Sequence, residues 1–411
     1  MRSFGQNKTL NFEKAYEIVI GSARRLGAER VAISDNGALN RVLAEAVVSD
    51  IDMPPFNKST MDGFACRRAD LANELAITET IPAGSLPTKA IGPGQCARIM
   101  TGAVVPEGAD CVIMVEYTEN SGDNKIRFTG EHTADNICLK AEDIKKGDVV
   151  LQPGQIIKAQ HIAVLASCGC VKPLVSLQPR VGIIATGDEL VEPDKQPAAC
   201  QIRNSNGFQL TAQAAGTGVI ATNYGIAADT EETLDSMNKK AMSENDVVIL
   251  SGGVSVGDYD FVRASLENNN VRLLFEKIAV RPGRPMVFGI SDENRSEPAK
   301  DERIFCFGLP GNPVSTFIMF ELFVKPFLFK MMGHNFRPVI VQMQLDKKIT
   351  RKKTERDSWL PVFFTENGKA AKLEYHGSAH INALCQADGL LRIPAGTAQI
   401  EEGATVAVRQ I

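Results

Sequence analysis

The stretch that decides the fold runs from residue 180 to residue 330. It opens on RVGIIATG (180–187), continues through VIATNYGIA (219–227) and DVVILSGG (246–253), and reaches its last apolar run at RIFCFGLPG (303–311). Each run is followed by an amphipathic pattern: SNGFQLTAQAAG (205–216), TEETLDSMNKKAM (230–242), DFVRASLENN (260–269) and NPVSTFIMFELFVKPFLFK (312–330). Apolar strands that alternate with helices predict a parallel sheet covered on both faces. In such a sheet a ligand lies beyond the carboxyl ends of the strands. Four ends can be read: Thr186-Gly187-Asp188-Glu189, Ala228-Asp229-Thr230, SGGVSVGDYD (251–260) and GLPGNP (308–313).

Working outward, the pattern changes on both sides. NFEKAYEIVIGSARRL (11–26) and ALNRVLAEAVVS (38–49) have helical spacing, the second ending at Pro54-Pro55. From 56 to 150, short β-like runs are separated by the turn signals PAGSLPT, GPGQ, NSGDN and KKGD, which predicts a β-rich insert. Residues 334–411 return to alternating runs (VIVQMQL, WLPVFF, GLLRIPA, ATVAVRQI) and predict a small terminal β-domain. The expected organisation is multidomain α/β plus β. An α/β domain takes residues 1–27 and 171–333, a linker domain 28–51 and 146–170, the β-rich insert 52–145, and the C-terminal β-domain 334–411. Two charged segments, SDENRSEPAKDER (291–303) and LDKKITRKKTERD (345–357), read as solvated loops or hairpins.

Composition narrows the function. Of 411 residues, 44% are hydrophobic, enough for well-filled cores, and 45 Lys plus Arg against 49 Asp plus Glu give a net charge of -4. That balance leaves no basic field for nucleic acid. Nine cysteines without a CxxC pair read as reduced, mostly buried thiols rather than zinc ligands. The longest uncharged stretch, Ile304 to Phe320, is interrupted by GLPGNP, so no membrane span is expected. MRSFGQNKTLNFEK lacks the apolar core of a signal peptide, and a cytoplasmic location is the expectation.

The chemistry concentrates at the four strand ends. They carry Asp188, Glu189, Asp229, Asp258 and Asp260, and glycines and serines whose backbone N–H groups can approach an anion: Gly187, Ser251, Gly252, Gly253, Ser255, Gly257 and Gly311. Carboxylates beside an anion cradle make sense if a divalent cation such as Mg²⁺ bridges them to phosphate oxygens. SGGVSVGD has neither Walker nor GxGxxG spacing, which disfavours a P-loop ATPase and a Rossmann dehydrogenase. Lys277, Arg281 and Arg284 form a basic cluster suited to phosphate or a small oxyanion. In the insert, Asp62 of MDGFA and Thr101 of MTGA have no α/β strand end of their own. If they act, it is across a domain or subunit boundary.

Together PPFNKSTMDGFA, MTGAVVPEGAD, AEDIKKGD, ATGDEL, SGGVSVGDYDF, AVRPGRP and GLPGNPVS resemble the molybdopterin molybdenumtransferase family, the MoeA and gephyrin E-domain group, in order and spacing over essentially the whole chain. The resemblance implies insertion of molybdate into adenylylated molybdopterin with Mg²⁺-dependent release of AMP. It implies a homodimer with a cleft shared between subunits, and transient contact with the molybdopterin adenylyltransferase. It also implies functional positions at Asp62, Thr101, Asp143, Glu189, Asp229 and Asp260, with Glu189, Asp229 and Asp260 as metal ligands. Lys277, Arg281 and Arg284 fall where the family places cations, and Pro310 and Pro313 where it places an oxyanion pocket. The sequence departs from the usual motif at Asn57, Lys58 and Phe64, and carries arginine at 281 and 284 where lysine is common. An adenylyltransferase would share the SGGVSVG loop but needs neither the MDGFA insert nor the terminal β-domain. A receptor scaffold would need an added domain or a long disordered linker, for which the sequence gives no sign.

Overall fold

The computed structural model describes residues 9–253, 261–291, 303–374 and 380–411. The chain forms two compact units: Val31–Leu39 with Glu45–Pro173, and Met1–Arg30 with Asn40–Ala44 and Leu174–Ile411. Helix α1 (Phe12–Ser22) is capped by Asn11, whose Oδ1 accepts from Lys14 N at 2.9 Å, and it ends where Ala23 turns extended. It is shorter than its periodicity implied. The expected helix at 38–49 does not form. Asn36 and Asn40 adopt φ of 57° and 62°, left-handed values that a right-handed helix cannot contain. Val47–Val48 instead pairs as a short strand with Val149–Leu151.

The β-rich insert is a six-stranded sheet. Its strands are β1 (Gly63–Cys66), β2 (Glu74–Ile81), β3 (Gln95–Ile99), β4 (Cys111–Met114), β5 (Thr118–Gly122) and β6 (Lys125–Phe128), in the order β4-β1-β3-β2-β6-β5. All four residues of β1 are buried, and a Cβ on Gly63 would lie 1.9 Å from Ile113 O. Only glycine admits that approach, so the turn carrying Asp62 is pinned to the sheet behind it. Helix α2 (Ala159–Ser167) follows in the same unit.

The other unit contains the α/β sheet: β7 (Arg180–Thr186), α3 (Asn206–Ala215), β8 (Ile220–Ala227), α4 (Glu231–Glu244), β9 (Val247–Ser251) and α5 (Phe261–Asn268). It continues with β10 (Val271–Lys277), β11 (Val280–Arg281), β12 (Pro285–Ser291), β13 (Ile304–Leu309), α6 (Pro313–Met319) and α7 (Lys325–Met331). The sheet order is β8-β7-β9-β13-β12-β10. β8, β7, β9 and β13 are parallel as expected; β12 and β10 add an antiparallel edge. Phe288, Phe305, Phe307 and Phe327 fill the core beneath α7, with ring centroids 4.8 Å apart for Phe288–Phe307 and 4.9 Å for Phe305–Phe327.

The C-terminal strands β14 (Ile340–Leu345), β15 (Asp357–Phe364), β16 (Lys369–Lys372), β17 (Gly389–Ile393) and β18 (Thr405–Gln410) run in the order β15-β16-β14-β18-β17. Pairing of β15 with β17 closes them into a five-stranded barrel. β11, from the loop after β10, adds to β15 in parallel, at Val280↔Asp357 and Arg281↔Ser358. Segment 345–357 is not a free hairpin: Ile349–Thr350 pairs with Gln399–Ile400 and the chain then enters β15. Residues 292–302 of the acidic segment lie outside the described residues. All nine cysteines are free thiols, and five of them are buried.

Candidate active site and its family

Sheet register brings the strand ends together. Thr186 pairs with Ala227, Ala185 with Ser251, and Ser251 with Leu309, so the loops after β7, β8, β9 and β13 open at one edge. The chain leaves β7 toward β8 and leaves β9 toward the opposite side, so β7 and β9 flank the switch point where α/β sheets bind ligands. Gly252 there has φ of 103°, and a Cβ on it would lie 2.2 Å from Thr186 O. Neighbouring loops can approach this closely only without a side chain at that position.

The carboxylates are fixed by one another's backbones. Asp229 N donates to Asp188 Oδ1 at 2.9 Å, and Asp188 N donates to Asp229 Oδ2 at 3.4 Å. Thr186 Oγ1 donates to Asp229 Oδ1 at 2.5 Å. Glu189 folds back over Gly187, so that a Cβ at Gly187 would lie 2.4 Å from Glu189 Oε2. Asp188, Glu189 and Asp229 therefore gather at one edge. Asp258, Asp260, Ser255 and Gly257 lie outside the described residues. Among the described residues no group of three or more His, Cys, Asp or Glu is already arranged as a metal site. The donors present are hard carboxylate oxygens, the type that suits Mg²⁺.

The loop after β13 is held by side chains from three elements. Asn206 Nδ2 donates to Gly311 O at 2.7 Å and to Ser251 Oγ at 2.9 Å, Ser251 Oγ donates to Pro310 O at 3.4 Å, and Thr316 Oγ1 also donates to Pro310 O. Pro313 is placed in the first turn of α6, where its missing N–H costs nothing. Asn206 stood in the sequence as an ordinary residue of a helix start, and only the fold shows that it ties two strand-end loops together.

Beside this loop, a cavity of about 600 Å³ is lined by Arg281, Arg284, Arg351, Lys352, Arg356 and Lys372, together with Pro310, Asn312 and Ser315. No Asp or Glu lines it, and among the described residues none of the six cations has a carboxylate within ion-pair distance. Such a wall favours a small multivalent anion. Lys277, at the end of β10, is not among the lining residues; its carbonyl accepts from Leu10 N at 3.0 Å. Arg351, Lys352 and Arg356 come from the segment that the sequence alone placed in solvent. Their interleaved acids hid the pattern, since Asp357 turns away to accept from Arg392 Nε at 2.9 Å.

In the other unit, Asp62 and Thr101 meet. Asp62 Oδ1 accepts from Thr101 N at 2.6 Å and from Thr101 Oγ1 at 2.8 Å. The backbone bond first, then the hydroxyl, holds the Asp62 carboxyl below the usual carboxylate range. Asp143 is exposed on a turn whose N–H donates to Met53 O at 3.1 Å.

Comparison with known proteins gives these features a context. Residues 10–169 match the MoeA N-terminal region (domain I and II), 182–330 a probable molybdopterin binding domain, and 342–411 the MoeA C-terminal region (domain IV). The chain is similar to a molybdopterin molybdenumtransferase of Staphylococcus epidermidis, 36% identical over 92% of this chain and 91% of that protein. It is also similar to one of Staphylococcus aureus, 34% identical over 96% of this chain and 94% of that protein. A solved structure, the molybdopterin biosynthesis MoeA protein from Pyrococcus horikoshii OT3, superposes with a TM-score of 0.82 at 29% identity, covering 98% of this chain and 100% of the other. With three consecutive regions matched and full-length relatives above 30% identity, the chain belongs to the MoeA family.

Proposed function

We propose that the protein is a molybdopterin molybdenumtransferase, which inserts molybdate into the dithiolene of adenylylated molybdopterin and releases AMP. The observation that carries this reading is the cavity with six cations and no acid, set beside the loop after β13, at the same sheet edge as the carboxylate-bearing strand ends of a molybdopterin-binding domain. Arg281, Arg284 and Arg356 would hold the oxyanion there until the dithiolene sulfurs displace two of its oxygens. Asn206 and Ser251 keep Pro310 and Gly311 in place beside it.

Glu189 and Asp229, with Asp260, would hold Mg²⁺, which supplies neutralising charge at the phosphate during P–O cleavage. Thr186 orients Asp229 for that task by its hydroxyl bond. Asp62 and Thr101 belong, in this reading, to the cleft of a second protomer, and Asp143 serves with them. The pterin arrives from an adenylyltransferase by transient contact, a location in the cytoplasm being consistent with that supply. Among the described residues no helix is long and apolar enough to cross a membrane.

Purified protein incubated with adenylylated molybdopterin, Mg²⁺ and molybdate should release AMP and yield active cofactor. Failure of both would end the proposal. Pyrophosphate formed from ATP and free molybdopterin would point instead to an adenylyltransferase.

A further inference from the structure

Arg351 closes the barrel side of the cation cavity, and no motif singled it out. Its guanidinium donates to five different oxygens. Nε reaches Thr397 O at 2.9 Å, Nη1 reaches Ser358 Oγ at 2.7 Å, Arg356 O at 3.1 Å and Ile393 O at 3.4 Å, and Nη2 reaches Pro394 O at 2.7 Å and Thr397 O at 2.6 Å. Every acceptor is neutral. Asp357, whose field reaches Arg351, is already engaged: its Oδ1 accepts from Ala395 N at 2.8 Å and its Oδ2 from Arg392. Burial first, and the charge of Arg281 beside it, lower the Arg351 pKa, opposed by Asp357 and Glu355. Even so lowered, an arginine keeps its proton at neutral pH.

The arrangement differs from an ordinary structural arginine in one respect. A guanidinium that only fastens turns is commonly balanced by a carboxylate, because a half-buried charge without a counter-charge is costly. Here no carboxylate lies within ion-pair distance of the guanidinium, Asp357 and Glu355 act on it only from further off, and the charge faces a cavity that has no acid of its own. The planar fork, satisfied by fixed oxygens, cannot swing out to contact an anion, so any contribution to binding comes through its field.

We propose that Arg351 is a positioning residue of the oxyanion seat, a fixed positive charge in the cavity wall that strengthens binding of a divalent tetrahedral oxyanion without touching it. The inference rests on the reading of this cavity as the molybdate site. The bland alternative is that Arg351 only fastens the 351–358 segment to the 393–397 turn.

Equilibrium dialysis of the full chain with molybdate alone, at low and high KCl, separates these readings in wild type, Arg281→Gln, Arg351→Gln and Arg351→Lys. A unit charge removed from the cavity wall should raise the molybdate Kd about tenfold at low salt. The gap should narrow to roughly threefold or less near molar salt. Arg351→Lys, which keeps the charge and loses the fork, should stay within about threefold of wild type at low salt. An unchanged Kd in Arg351→Gln, or an equal tenfold loss in both variants, overturns the inference. If near-UV circular dichroism shows that Arg351→Gln has lost its fold, Arg351→Lys decides by the same threefold and tenfold outcomes. No molybdate binding by wild type, or no effect of Arg281→Gln, means that the cavity is not the oxyanion seat, and the proposed function loses its main support before Arg351 is considered.

Discussion

Asp62 shows how much one hydrogen-bonded pair sets. Two donors from Thr101 stabilise its ionised form, so its pKa is depressed and the charge persists until the pH falls through that lowered value. Anything that depends on the carboxylate, whether stability or turnover, is therefore fully present above the ordinary aspartate pKa and is lost only at a more acid pH. Replacing Thr101 with valine removes the hydroxyl donor and keeps the backbone one, so the Asp62 titration should move up toward the ordinary range. A carbon-detected NMR titration of the Asp62 carboxyl reads this directly, and a midpoint that does not move would show that the backbone bond alone sets the pKa. At this scale the sequence singled out Asp62, Thr101, Glu189 and Asp229 because each stands in a recognisable motif, and their roles belong to the proposal. It was silent on Thr186, Asn206, Arg351 and Arg356, whose roles depend on partners far away in the chain.

Among the elements, legibility followed burial. Parallel strands covered on both faces write uninterrupted apolar runs, and β7, β9 and β13 formed where those runs stood; β8, the edge strand, also formed at its run although only Ala227 in it is buried. The segment 38–49 misled because its apolar residues are spaced as in a helix while Asn40 within it, like Asn36 just before it, takes a left-handed conformation that propensity alone does not announce. The antiparallel edge β10–β12 went unread because its strands flank a loop rich in charge and proline. The junction of β7 and β9 gives a sharp mechanical prediction. Gly252 combines φ of 103° with a prospective Cβ contact of 2.2 Å to Thr186 O, so Gly252→Ala must move the loop after β9 or the end of β7. Backbone strain alone costs more than about 1 kcal/mol, with the steric clash added to it. Urea unfolding should show a lower midpoint, and a variant as stable as wild type would mean that this loop is freer than its geometry implies.

For the whole molecule the proposed sharing of a cleft between protomers is the claim with the most at stake. Asp62→Asn and Glu189→Gln each remove a charge with little change in shape, so each should fold and each should lose roughly two to three decades of rate. If the two residues serve one cleft from opposite chains, mixing the inactive variants leaves one intact cleft in each heterodimer and recovers about half the wild-type rate per heterodimer. Full subunit exchange, followed by mass spectrometry, without any recovery would show that they do not. The pairing of β11 with β15 carries a different lesson. The family's regions divide the chain between 330 and 342, yet Arg281 and Arg284 lie on one side of that division and Arg351, Lys352, Arg356 and Lys372 on the other. A graft of the molybdopterin-binding region onto another scaffold would carry every strand-end motif and only two of the six cations. Inheritance of the cation cavity is thus indivisible: recombination at the apparent seam between modules keeps both folds recognisable and discards most of the charge that the proposed anion seat needs.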